Sequence, residues 1–301
     1  DAFSAHAPGS RCRPGVTDGY VDHTMILQPG VWQFGVGGDG GPSQDEGEGS
    51  ANSRGRFDID VRLFECSNEF TDGADTIDGT PGDDVLCGGG GNDTITGKGG
   101  NDRIFGGAGY DLIHGEDGDD RIEGGDGDDL IGGGPGRDVI LGGAGADSIG
   151  GAAGRDTIRG GPGNDEIDGF GGADDLYGDG GDDEIEGGYG DDDIDGGSGH
   201  DTSGLRGGPG DDLIRGGSGD DLIEGGDDYD TLEGQDGLDK LRGESGNDTL
   251  TGGRGRDVLN GGADRDVLRA RDGRRDRVLG GPGSDRGRVD GADEVVSVES
   301  T

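Results

Sequence analysis

From residue 75 onward the chain places one aliphatic side chain at every ninth position, with little that is apolar between them. Ile77, Leu86, Ile95 and Ile104 open a series that runs without a slip to Ile194. It resumes at Leu205 after two extra residues and continues from Ile214 to Leu268, giving 22 positions. Two residues before each of the first fourteen aliphatics stands an Asp, and two residues before that Asp a Gly. The residues around each aliphatic form a short strand with the middle side chain inward and its neighbours outward. The glycines between them let the backbone turn tightly, since Gly adopts positive φ freely. Two such units make one turn of a flattened coil, so residues eighteen apart stack about 4.8 Å apart. The predicted fold is therefore all-β, a flattened coil of short stacked strands.

The flanks follow other patterns. "FDIDVRLF" (57–64) alternates apolar and charged residues as a half-buried strand does, and "MILQPGVWQFGV" (25–36) supplies a second apolar run. Residues 1–70 are expected to form a small N-terminal β cap or a segment that pairs with another subunit. Beyond Leu268 the beat slips by one residue to Asp276 and Val278, and eight arginines fall between Arg265 and Arg288. Residues 271–301 are read as a degenerate basic C-terminal cap, because the end repeats of arrays are atypical.

Composition alone would give a different answer. With 79 Gly, 26% hydrophobic residues and a formal net charge of -43, the chain has the profile of a disordered polyanion. The register overrules that reading. The charge argues against nucleic acid or an anionic membrane as partner and towards cations, and no stretch is long enough to span a bilayer. The first residue is Asp rather than Met, which points to a processed or fragmentary N-terminus. Of three cysteines, Cys12 and Cys66 can bridge in an oxidising compartment, leaving Cys87 over; three free thiols are the alternative.

The stacked coil brings the aspartates into two columns. Asp75, Asp93, Asp111, Asp129, Asp147, Asp165, Asp183 and Asp201 fall on one edge, and Asp84, Asp102, Asp120, Asp138, Asp156, Asp174 and Asp192 on the other. After the interruption, Asp212, Asp221, Asp230, Asp239, Asp248, Asp257 and Asp266 keep pace. Carboxylates this close require cations. Flexible all-oxygen ligation suits Ca2+ better than Mg2+, and no His or Cys series accompanies it to suggest zinc or copper. One buried aliphatic per nine residues cannot offset the ordering of so many glycines, so metal binding supplies the folding free energy. Ions bridging loops two units apart give about 20 sites, nearly neutralising the chain.

The unit GGxGxDxUx, with U aliphatic, resembles the RTX or haemolysin-type calcium-binding nonapeptide repeat over about residues 71 to 270. The resemblance implies a right-handed parallel β-roll with calcium between successive turns. The Asp series would supply side-chain ligands. The loop carbonyls of Gly82, Gly91, Gly100, Gly109, Gly118, Gly127, Gly136, Gly145, Gly163, Gly181, Gly190, Gly210 and Gly219 would complete the shell. It also implies a secreted or cell-surface protein that folds only where calcium is plentiful. Departures stand at Asp228 and Asp264, which replace a Gly. Loops at Thr80, Lys98, Glu116, Phe170, Asp179, Gln235 and Glu244 lack the second Gly. The insertion beside His200 is expected to disturb its neighbouring sites.

Other chemistry is thin. "DDDIDG" (191–196) begins like an EF-hand loop, but its twelfth residue is Thr202 rather than Glu. "GGSGHD" lacks a nucleophile elbow, and the four histidines form no H-E-x-x-H. Thr94 and Thr96 begin an outward ladder of the ice-binding kind, which Arg121, Glu123, Glu184 and Glu186 interrupt. Three functions stay open: a calcium-binding structural or adhesive module, a filament subunit joined head to tail, and the secretion and folding tail of a larger hydrolase. No catalytic residues are assigned.

Overall fold

The computed structural model describes residues 3–6, 33–36, 66–67 and 71–300. The chain divides into two units, Asp1–Glu65 and Cys66–Thr301. In the first, Phe3–His6 pairs antiparallel with Gln33–Val36. The strand expected at 57–64 lies outside the described residues.

The second unit is built from two parallel sheets of thirteen strands each. Successive strands alternate between the sheets, so each strand pairs with the next but one, eighteen residues away where the nine-residue beat is unbroken. Ile95 lies opposite Ile113, Ile140 opposite Ile158 and Leu232 opposite Leu250. This register stacks aliphatic on aliphatic, and the columns from Ile77 to Leu268 form a single core extended by Ala270 and Val278. A strand buried on one face alternates inward and outward residues, and Thr94–Gly99 does so, with Ile95 and Gly97 buried.

Most strands run for six residues rather than the three expected around the aliphatic. The glycine segment extends the ladder, Gly89 pairing with Gly107 and Gly90 with Ala108. Gly backbone reaches these pairs at φ values such as 98° and 116°, which disfavour side chains.

The insertion does not interrupt either sheet. Leu205 still pairs with Ile185 and Ile223, and the extra residues turn outward, closed by a bond from the Thr202 N–H to the His200 carbonyl at 2.7 Å. Nor does the coil end at residue 270. Arg277–Leu279 and Arg286–Val289 extend the two sheets, followed by Glu294–Val296 and Glu299–Ser300. The slip before Asp276 is one extra loop residue, and the last two pairings, Arg277 with Glu294 and Arg286 with Glu299, are made across shorter coils.

One expectation is overturned. Cys66 bonds Cys87, not Cys12, at a Cα–Cα distance of 5.9 Å. Residues 66–67 run beside the first long strand, where both the N–H and the hydroxyl of Ser67 donate to the Val85 carbonyl. That places Cys66 against Cys87, which is 1% exposed. Cys12 lies outside the described residues. Among them, no helix is long and apolar enough to cross a membrane.

Candidate metal sites

Each aspartate of the series stands where a glycine loop enters its strand; its backbone ties it to the following coil and its Oδ1 to the preceding one. The N–H of Asp93 donates to Oδ1 of Asp111 at 2.8 Å, and the N–H of Asp111 to Oδ1 of Asp129 at 2.8 Å. Its carbonyl accepts from the following coil, as Asp93 does from the Leu112 N–H at 2.8 Å. The same bonds recur across the insertion, where the Asp201 N–H reaches Asp221 Oδ1 at 3.0 Å, and at the far end, where Asp266 reaches Asp285. The two carboxylate columns expected from the spacing are therefore present, and the insertion leaves them continuous.

This arrangement uses one oxygen of each carboxylate. The other, Oδ2, is buried and without a hydrogen-bond partner in 22 aspartates from Asp93 to Asp285. A buried carboxylate left so is costly, by several kcal/mol where the charge is uncompensated. The surroundings show what could compensate it. A Cβ built on Gly106 would lie 2.5 Å from Asp111 Oδ2 and 2.5 Å from the carbonyl oxygen of Gly124. Gly124 meets Asp129 Oδ2 and the Gly142 carbonyl in the same way. The absent side chain leaves open a cradle in which a carboxylate oxygen of one coil and a carbonyl oxygen of the next converge.

The electrostatics agree. Burial pushes the carboxyl of Asp129 up to about 7, with its stacked neighbours Asp111 and Asp147 adding to the effect and the Asp111 N–H opposing it. Asp230 is raised to about 8 by burial first, then by Asp212 and Asp248. These groups resist carrying charge at neutral pH unless a cation joins them.

Asp93 to Asp266 thus sit as the sequence places them. Asp75 and Asp84 do not share their situation, because Oδ2 of each accepts hydrogen bonds from Thr71 and Thr80. The glycine carbonyls singled out in the sequence lie on the loop edge: that of Gly109 faces Gly127, and that of Gly118 faces Gly136. The carbonyl converging with the free Oδ2 belongs instead to the first glycine of the unit. That position is Gly without exception from Gly79 to Gly261, a signal the spacing already carried. Asp276 and Asp285 carry the same partnerless oxygen, displaced from the nine-residue beat by the single one-residue slip before Asp276.

A second ladder runs beside the first. The residue before each Asp is often Asn or Asp, and its side-chain oxygen accepts the N–H eighteen residues on. Asn92 receives from Tyr110 at 3.1 Å, and Asp119 from Arg137 at 2.9 Å. His200 keeps the pattern with Nδ1, which accepts the Asp220 N–H at 2.8 Å.

Among the described residues no three His, Cys, Asp or Glu side chains gather at one point. The donors are carboxylates supplemented by backbone carbonyls, all oxygen, which suits a hard cation with a flexible shell such as Ca2+. The family model of the RTX calcium-binding nonapeptide repeat (4 copies) matches residues 71–104, 96–131, 132–167, 150–185, 168–202, 205–232 and 233–268. The chain belongs to the RTX calcium-binding nonapeptide-repeat family. Its parallel coil is a calcium-binding RTX solenoid. No curated protein matches the chain. Among solved structures, the RTX coil is similar to a hyperactive, Ca2+-dependent, beta-helical antifreeze protein from an Antarctic bacterium. The TM-score is 0.48 and the identity 20%, over 75% of each chain.

Proposed function

We propose that this chain is a secreted structural or adhesive rod that folds outside the cell by taking up about 20 Ca2+ ions. The observation that carries this reading is the set of 22 buried Oδ2 atoms without partners. Calcium bound there supplies the positive charge that the columns lack. The protein's own residues do the rest. Oδ1 and the Asp N–H hold each carboxylate in line, Gly at the first position leaves the approach open, and the aliphatic columns exclude water behind it. A circular dichroism titration tests it: metal-free protein at neutral pH should give a coil spectrum, and added calcium a strand spectrum. A strand spectrum that persists in excess chelator would sink the reading.

A second reading has an observation of its own. The last strands of the coil, Glu294–Val296 and Glu299–Ser300, each have a neighbour on one side only. Val295 and Val296 are 39% and 46% exposed there. Open strand edges template further pairing, which favours end-to-end assembly through the N-terminal segment of a second copy. Electron microscopy of the calcium-loaded protein distinguishes filaments from single particles. The role of a folding tail for a larger hydrolase is supported only by the family resemblance, and extension of the reading frame upstream of Asp1 would test it.

A further inference from the structure

The first coil satisfies its carboxylates differently from the coils that carry Asp93 to Asp285. Oδ2 of Asp75 accepts both the N–H and the hydroxyl of Thr71, at 2.8 and 3.0 Å. Oδ2 of Asp84 accepts both from Thr80, at 2.6 and 2.9 Å. Two donors on one oxygen fill the lone-pair directions that a cation would use. The atom has also moved. A Cβ on Gly79 would lie 3.1 Å from Asp84 Oδ2, whereas at every later first-position glycine with such a cradle the corresponding distance is 2.7 Å or less.

The carbonyl that has no carboxylate to meet is accounted for as well. In the later coils the carbonyl of a first-position glycine converges with the carboxylate of the preceding coil. For Gly79 that carboxylate would come from residue 66, eighteen before Asp84. Residue 66 is cysteine, bonded to Cys87. The Gly79 carbonyl instead accepts a hydrogen bond from Lys98 Nζ at 2.9 Å, so an ammonium stands at the end of the column. Thr80 and Lys98 occupy second positions of their loops, where most units carry Gly. These departures from the repeat pattern thus coincide with the end of the column.

We propose that Thr71, Thr80 and Lys98 form a protein-built terminus for the two ion columns. Their hydrogen-bond donors take, in the first coil, the place that calcium takes in the rest. Asp75 and Asp84 are then not calcium ligands, and the columns begin at Asp93 and Asp102. This rests on the calcium reading above.

Native mass spectrometry of the full calcium-loaded chain tests it by counting ions. Asp75→Asn/Asp84→Asn should bind the same number as the unsubstituted chain, and Asp93→Asn/Asp102→Asn should bind two fewer. Loss of ions in the first variant overturns the terminus while leaving the calcium reading intact. An unchanged count in the second removes the calcium reading, and the terminus with it. If Asp75→Asn/Asp84→Asn does not fold with calcium, Thr71→Gly/Thr80→Gly decides. A gain of one or two ions supports the terminus, and an unchanged count overturns it.

Discussion

Gln235 and Glu244 hold backbone φ angles of 73° and 76° at the second position of their loops, where other units carry Gly. Left-handed backbone costs a residue with a Cβ about 1–2 kcal/mol, so these side chains are tolerated rather than selected for the turn. Gln235→Gly should raise the stability of the calcium-loaded coil by about 1 kcal/mol, since the added freedom of the unfolded chain offsets part of the gain. A shift of the denaturant midpoint to higher concentration checks it. At the first position the same logic reverses. A methyl on Gly106 would enter the cradle between Asp111 Oδ2 and the Gly124 carbonyl. Gly106→Ala should cost about 1–3 kcal/mol by overpacking and lower the bound-ion count by about one. An unchanged count would remove that carbonyl from the site. Ala270 is the natural exception: it stands at a first position, its methyl is buried in the core, and Asp276 follows one residue late.

At the scale of the element, nine-residue spacing was enough to place the strands, because side-chain stacking in a parallel ladder has to repeat with the coil. Strand length was not legible, since nothing in a run of glycines shows whether its backbone is in a loop or in a ladder. The disulfide was misread for a related reason. The order of cysteines along the chain does not reveal that residues 66–67 lie beside Val85–Gly90, a placement made by the Ser67 bonds to Val85. Beside the insertion Glu184–Glu186 and Asp193–Asp195 shorten to three residues, while the aliphatic pairing on either side persists because the added residues sit in an outer loop. Arg206 closes that loop, donating to the Ser203 carbonyl at 2.6 Å and to Glu184 at 2.8 Å. Deleting Thr202 and Ser203 restores the nine-residue beat and should leave the ion count unchanged, with stability altered by less than about 1 kcal/mol. Loss of the calcium-dependent strand spectrum in that deletion would show that the bulge is needed for the fold.

Over the whole molecule the columns make proton and calcium alternative partners for one set of atoms. Aspartates titrate near 3.8 in an unfolded chain, whereas in the folded coil Asp120, Asp165 and Asp174 are pushed up to about 6 by burial. Asp138 and Asp239 reach about 7 and Asp230 about 8, again chiefly by burial. A carboxyl whose folded value is raised favours the fold when protonated. Its contribution is full below pH 3.8 and is lost as pH rises through 6 to 8. Metal-free protein should therefore gain strand structure as pH falls from about 8 to about 5, without any calcium. Calcium affinity should fall over the same window, because protons compete for the oxygens that bind it. Circular dichroism of chelator-treated, dialysed protein across that range measures the first effect, and calcium titrations at each pH the second. A metal-free spectrum that stays coil from pH 8 to 5 would mean that neutralising the columns is not enough, and that the bridging geometry of the ion is itself required to join one coil to the next.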